Sequence, residues 1–257
     1  MSISERMLDG LAGQTALVTG ASAGLGRRFA TLLAEAGVRV AVAARRRERL
    51  DELVAEIGRA GGTAIAVTLD LAAAHGFAAV IDDIESRLGP VSILVNNAGR
   101  YDGYAAIDLP PELIDDMLAL NVRGPFVLAC EVARRLIARK QPGRIVNMSA
   151  IGAFSFSAKA GALYSVTKAA MVRITETLAV EWAEHNINVN AIAPGFFHSE
   201  MSEGYLKQFG DAVVNALPRK RVGQPEQLDS TLLYLVSPAS EMVTGTCIKV
   251  DDGWKPR

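Results

Sequence analysis

The chain is 257 residues long and half hydrophobic, with 27 basic and 28 acidic residues and a net charge of −1. That length suits one large α/β domain, and the near-neutral balance argues against a nucleic-acid partner gathered by bulk charge. Two distant cysteines (Cys130, Cys247) and three scattered histidines (His75, His185, His198) give neither a disulfide framework nor metal-ligand spacing.

Met1–Gly10 carries acidic residues and no apolar core of a signal peptide. No apolar run approaches the ~20 residues of a membrane span. The expectation is a cytoplasmic protein with no membrane partner. A short strand is predicted at Thr15–Val18, and an amphipathic helix over Arg27–Ala36, closed by Gly37. Between them lies Thr19-Gly20-Ala21-Ser22-Ala23-Gly24-Leu25-Gly26. A glycine-rich turn from strand to helix lets backbone approach a pyrophosphate, and the helix N-terminus adds free N–H groups and a positive dipole. Gly20, Ser22, Gly24, Leu25 and Gly26 are therefore candidate contacts for a nicotinamide dinucleotide.

The second strand, Val38–Ala43, runs into Ala44-Arg45-Arg46. An NAD site commonly places a carboxylate near here for the ribose 2′-hydroxyl. Arginine instead matches a 2′-phosphate. The prediction is NADP(H) over NAD(H), with Arg45 the first candidate and Arg46 the second. A helix is predicted over Arg47–Ala60 and a strand over Ala64–Leu69, ended by Asp70-Leu71. Asp70 can accept from the adenine amino group, cap the next turn, or do both, and Leu71 beside it is a further candidate cofactor contact.

Further on, the pattern gives a helix at Gly76–Leu88, a strand at Ile93–Asn96, helices at Pro111–Asn121 and Pro125–Lys140, and a strand at Arg144–Asn147. Asn97-Ala98-Gly99 follows the fourth strand, where small residues let backbone pass close to the adenosine ribose and asparagine amides tie strands together. The long helix Tyr164–His185 puts Tyr164 and Lys168 on one face. A phenol is too weak an acid for neutral pH, and a nearby ammonium lowers its pKa toward the working range. A carbonyl that receives hydride needs such a proton donor.

After the strand Asn188–Ile192, the segment Phe196–Leu217 reads as a lid or substrate loop of about 196–217, with Gly204 and Gly210 as breakers. Phe196, Phe197, Met201, Tyr205 and Phe209, with Tyr101 and Tyr104 opposite, either line a pocket for a ketone or 3-oxoacyl group or pack the loop down. A helix at Pro225–Leu235 and a strand at Thr246–Val250 complete the pattern. Continuous apolar strands alternating with helices give a Rossmann-like, doubly wound parallel sheet of about seven strands in a three-layer α/β/α single domain, 1–257.

Taken together, Thr19–Gly26, Asp70, Asn96–Gly99, Asn121, Tyr164-Ser165-Val166-Thr167-Lys168, Pro194-Gly195 and the closing Val250-Asp251-Asp252-Gly253-Trp254 resemble the short-chain dehydrogenase/reductase family, in its TGxxxGxG, NNAG and YxxxK subgroup and its 3-oxoacyl-reductase-like members. The resemblance implies that Tyr164 is the general acid in reduction and the base in oxidation. It implies that Lys168 lowers the phenol pKa and holds the nicotinamide ribose, and that Asn121 anchors a proton-relay water. Pro194, Gly195 and Phe197 would pack on the nicotinamide, with Ser199 near its carboxamide. The family's carbonyl-polarising serine commonly lies 13 residues before the tyrosine, a position held here by Ile151. Ser149, keeping a Ser-x-x-Gly pattern with Gly152, is the expected donor; alignment of the preceding strand places Ala150 there instead, and Ser155 and Ser157 are poorer substitutes.

The expected activity is hydride transfer between NADP(H) and a ketone, 3-oxoacyl group or secondary alcohol. The alternatives are a polyol or sugar dehydrogenase and a non-catalytic, redox-sensing dinucleotide-binding protein. The resemblance also implies a homo-oligomer, a tetramer or dimer, built through the two long helices.

Overall fold

The computed structural model describes residues 8–73, 75–155 and 160–254; Ser157 lies outside the described residues. Seven strands form one sheet in the order β3-β2-β1-β4-β5-β6-β7. They are β1 (Thr15–Thr19), β2 (Arg39–Ala44), β3 (Ala64–Thr68), β4 (Val91–Asn96), β5 (Gly143–Met148), β6 (Ile187–Pro194) and β7 (Cys247–Val250). Every pairing is parallel.

The strands read as unbroken apolar runs because both faces are covered. Along β1, Ala16 and Val18 enter one core and Leu17 the other. Helices α1 (Gly24–Glu35) and α8 (Asp229–Val236) supply Phe29, Leu33, Leu232 and Leu235 to the first. Helices α3 (Phe77–Leu88), α5 (Gly124–Arg139) and α6 (Ala162–Glu181) supply Ile81, Ile84, Leu128, Leu136 and Leu178 to the second. Helix α2 (Arg47–Arg59) covers β2 and β3, burying Leu50, Leu53 and Ile57. Arg28 of α1 and Asp229 of α8 form an ion pair across their two helices, at 2.5 Å.

Three predicted helices run into a π or 3-10 turn at one end. Pro111–Asn121 is helix α4 only over Pro111–Leu118 and then widens into a π turn, Ala119–Arg123. The long helix runs as α6 to Glu181 before a 3-10 turn at Ala183–His185, and the last begins as a 3-10 turn at Pro225–Leu228. The larger correction concerns the segment read as a loop. Residues Glu200–Ala216 are helix α7, bent at Phe209, where φ is −127° and ψ 15°. Ser199 caps it: the Ser202 N–H donates to the Ser199 hydroxyl at 3.2 Å, and the Ser199 N–H donates to the Ser202 hydroxyl at 2.9 Å. No residue of α7 is buried, and Gly204 and Gly210, which read as breakers, lie inside the helix although Met201, Tyr205, Phe209 and Val213 recur at helical spacing along it.

All strands point the same way, so the segments after β1 to β6 converge on one edge of the sheet. Sheet order reverses between β1 and β4, which is where such folds open a ligand crevice.

Candidate active site

Helix α1 starts without a cap. Ala23 is extended (φ −163°, ψ 171°), no side chain bonds the first turn, and no acidic residue lies in it. Its N–H groups and dipole are thus free for an anion, which fits a dinucleotide pyrophosphate. The glycines set up this turn by close packing. Gly20 adopts φ +68°, and a Cβ on it would fall 2.8 Å from the Ala98 Cα; one on Gly26 would fall 2.5 Å from the Gly20 carbonyl oxygen. The Asn97 and Ala98 N–H groups donate to the Thr19 hydroxyl at 3.0 and 3.1 Å, and the Asn97 amide donates to the Thr19 carbonyl at 3.0 Å. Asn97 and Ala98 therefore lock the end of β4 to the end of β1, and Leu25 packs against the core behind the turn.

At the end of β2, Arg45 is exposed. Arg46 is held: its guanidinium donates to the Ser22 hydroxyl at 2.9 and 3.2 Å and to both oxygens of Glu200 at 2.6 Å. The Asp70 Oδ1 accepts from the Ala72 N–H at 3.0 Å, the capping one of its two compatible roles. The Leu71 side chain is 3% exposed and belongs to the second core, with its carbonyl pressed against Gly124. Only backbone remains there to meet a cofactor.

Tyr164 stands in the first turn of α6 and Lys168 one turn on. The Lys168 Nζ lies 5.6 Å from the centre of the Tyr164 ring and donates to the Met148 carbonyl at 2.8 Å. Gly99 makes this possible, since a Cβ there would reach within 3.4 Å of Nζ and 3.3 Å of the Asn121 Oδ1. Loss of water pushes the Tyr164 phenol up and the Lys168 ammonium down to about 8. Lys168 thus remains a cation at neutral pH, beside the phenol whose anion it would stabilise.

Asn121 sits on the π turn, almost wholly buried. Its Oδ1 accepts from the Arg100 N–H at 2.9 Å; its amide donates to the Arg100 carbonyl at 2.9 Å and to the Thr167 hydroxyl at 3.1 Å. The side chain is a strut between the segment after β4 and helix α6, with both of its amide protons committed.

Ser149 requires correction. It is 4% exposed, and its hydroxyl donates to the Lys168 carbonyl at 2.8 Å. A buried hydroxyl whose proton is committed to helix backbone cannot polarise a substrate. Ala150 follows it and has no donor. At the end of β6, Pro194 is buried, and Gly195 lies so close to β7 that a Cβ would fall 2.8 Å from the Asp251 Cα. Phe197 turns its ring onto Gly223 and the first core, so it anchors its segment instead of lining the crevice. Ser199 lies over the glycine turn, its Cβ 3.3 Å from where a Gly24 Cβ would be.

Sequence reasoning missed Asp102, which is 3% exposed and accepts from the Tyr104 and Tyr164 N–H groups, each at 3.2 Å. The Asp102-Gly103 pair is a turn signal that hinted at the first of these bonds; nothing local signals the second. The Tyr101 ring meets the Tyr164 ring edge-on, with centroids 5.3 Å apart and planes at 75°. Tyr205 bridges Phe209 and Phe196, which in turn contacts Trp254. Helix α7 and the closing segment thus form an aromatic cluster of their own.

The family model described as enoyl-(acyl carrier protein) reductase matches residues 20–255. A 2-dehydro-3-deoxy-D-gluconate 5-dehydrogenase of Dickeya dadantii is 36% identical over 251 residues, 96% of this chain and 97% of that protein. Among solved structures, a short-chain type dehydrogenase/reductase from Mycobacterium marinum superposes with a TM-score of 0.94 at 33% identity, covering 100% of both chains. A gluconate 5-dehydrogenase from Burkholderia cenocepacia, in complex with NADP and tartrate, superposes with a TM-score of 0.90 at 32% identity, covering 96% of this chain and 98% of its own.

Proposed function

The chain belongs to the short-chain dehydrogenase/reductase family and is an NAD(P)-dependent oxidoreductase acting between alcohol and carbonyl; on that premise we propose that it uses NADP(H), with Tyr164 as the proton donor and acceptor. The observation that carries this reading is the half-buried Tyr164 beside the buried Lys168, at the strand edge where the uncapped start of α1 also lies. The cofactor, when bound, supplies or accepts the hydride. The first turn of α1 holds the pyrophosphate, and Arg46 with Ser22, helped by Arg45, holds the 2′-phosphate. The Lys168 cation favours the Tyr164 phenolate, so the phenol releases its proton to the substrate oxygen as that oxygen gains charge. Anchoring of a relay water, assigned to Asn121 by family resemblance, falls to its backbone in the π turn.

Several finer readings belong to the same proposal. The substrate is a small ketone or secondary alcohol; the names of the gluconate-type relatives favour a sugar acid, and the exposed aromatics Tyr101 and Tyr205 favour a less polar ketone or 3-oxoacyl group. The residues 196–217, chiefly helix α7, form its cover. Homo-oligomerisation through α5 and α6 is supported by Phe126, Val166 and Val180, which stand exposed on those helices. Among the described residues no helix is long and apolar enough to cross a membrane, and we place the protein in the cytoplasm. The loss of a serine donor favours one second reading, a cofactor-binding sensor without turnover.

Titration with NADPH and NADH, followed by a panel containing 5-keto-D-gluconate and acetoacetyl thioester, separates these readings. Tighter NADPH binding with oxidation on one of the carbonyls supports the reductase; binding with no turnover on any supports the sensor.

A further inference from the structure

We propose that the Tyr101 hydroxyl is the second hydrogen-bond donor to the substrate oxygen, acting beside Tyr164 where the strand-end position, Ala150, has none. The proposal rests on the reading of Tyr164 as proton donor.

An oxygen that takes up charge as hydride arrives is stabilised by preorganised donors, and losing one such donor costs about 100-fold or more in rate. The neighbourhood of Tyr164 is short of them. Ser149 is spent on the Lys168 carbonyl, Thr167 donates to the Tyr164 carbonyl at 2.7 Å, and Ser165 donates to the Gly152 carbonyl. Both protons of the Asn121 amide are committed. Among the described residues, Tyr101 is the group in contact with the Tyr164 ring whose hydroxyl has no hydrogen-bond partner. It is 41% exposed, so a ligand can reach it.

Its position is also fixed as a preorganised donor requires. The preceding residue, Arg100, is clamped through both N–H and carbonyl by the Asn121 side chain. The following residue, Asp102, receives the Tyr164 N–H, and the Gly161 N–H donates to the Tyr104 carbonyl at 3.0 Å. Residues 100–104 are thereby tied down on both sides of Tyr101, to Asn121 of the π turn before it and to the start of α6 after it. Gly161, at φ +85°, keeps the seat open: a Cβ there would fall 2.6 Å from the Tyr101 Cε2 and 2.9 Å from its hydroxyl oxygen. Burial and the Asp102 carboxylate push the Tyr101 phenol up, so it keeps the proton that a donor needs at neutral pH.

The substitutions Y101F, A150S and the pair together test this, with NADPH oxidation read against 5-keto-D-gluconate and acetoacetyl thioester. Y101F keeps the ring and its edge contact, so it should fold with unchanged melting temperature and NADPH affinity. We expect its kcat to fall about 100-fold, and A150S in the same chain to restore at least tenfold of that loss. A ring that served packing alone would show neither the loss nor the rescue, and undiminished kcat in Y101F overturns the proposal. If Y164F turns over at the wild-type rate, the reading of Tyr164 fails instead, whatever Y101F does. A wild-type protein inert on both probes, while binding NADPH, counts against the two readings together.

Discussion

Arg46 and Glu200 face each other across the mouth of the glycine turn, with both guanidinium Nη atoms 2.6 Å from the two carboxylate oxygens. The same arginine donates to Ser22 in that turn. Glu200 is the first residue of α7, so the pair joins the cofactor side of the crevice to its cover. It also puts a carboxylate where the 2′-phosphate of NADP(H) is proposed to bind.

A competition follows. The pair is about half exposed, so releasing it costs at most about 1 kcal/mol. E200Q should tighten NADPH binding by about threefold to fivefold and leave NADH unchanged. R46A should weaken NADPH selectively. Fluorescence titration of both nucleotides on both variants reads this out. Equal shifts for NADPH and NADH would show that the pair acts on the cover and not on the phosphate.

Lys168 predicts a pH dependence of stability. Burial holds its ammonium down to about 8, against an ordinary value of 10.5. The folded value lies below the unfolded one, so between those pH values the unfolded chain binds more protons and stability from this group rises with pH. Below that window the buried charge costs about 3 kcal/mol, and above it nothing. K168M removes the charge. Its stability relative to wild type should therefore be greatest at pH 7 and decline steadily as pH rises past 8. Denaturant melts of both proteins across that range check the slope; a difference independent of pH would contradict it.

Asp102 should matter for folding as well as for the site. Its buried carboxylate accepts two backbone N–H groups, one of them at the start of α6. D102A leaves both donors without their partner, at about 1–3 kcal/mol for a buried group left unsatisfied. Urea melts should show that loss. Hydrogen exchange should show faster opening at Tyr104 and Tyr164, with β1 and β4 unaffected. Protection unchanged at Tyr164 would mean that the carboxylate does not hold the helix start.

The sheet was legible in the sequence because its strands are buried on both faces; valine, isoleucine and alanine run unbroken, and one misplaced residue moves an end without hiding the element. Tyr164 and Lys168 were legible because helical spacing puts them on one face, and the glycine turn and the strand-end placement gave that face a purpose. What stayed hidden depends on which way a side chain turns. Ser149 and Ala150 are adjacent at the end of β5, so their side chains leave on opposite sides of the sheet, and only packing shows that Ser149 turns toward α6. Leu71 and Phe197 lie in segments correctly placed at the strand edge, yet both side chains point into core. Helix α7 stayed hidden because Gly204 and Gly210 read as breakers although the helix runs through both, and Asp102 because its second partner lies 62 residues away.

The most direct test of the central claim is Y164F, assayed for NADPH binding and for turnover in the same preparation. The substitution removes one oxygen and keeps the ring. We predict NADPH affinity within about twofold of wild type, and carbonyl reduction lowered by at least about 100-fold. Turnover at the wild-type rate would contradict the assignment of Tyr164 as the proton donor, and with it the mechanism built around Lys168.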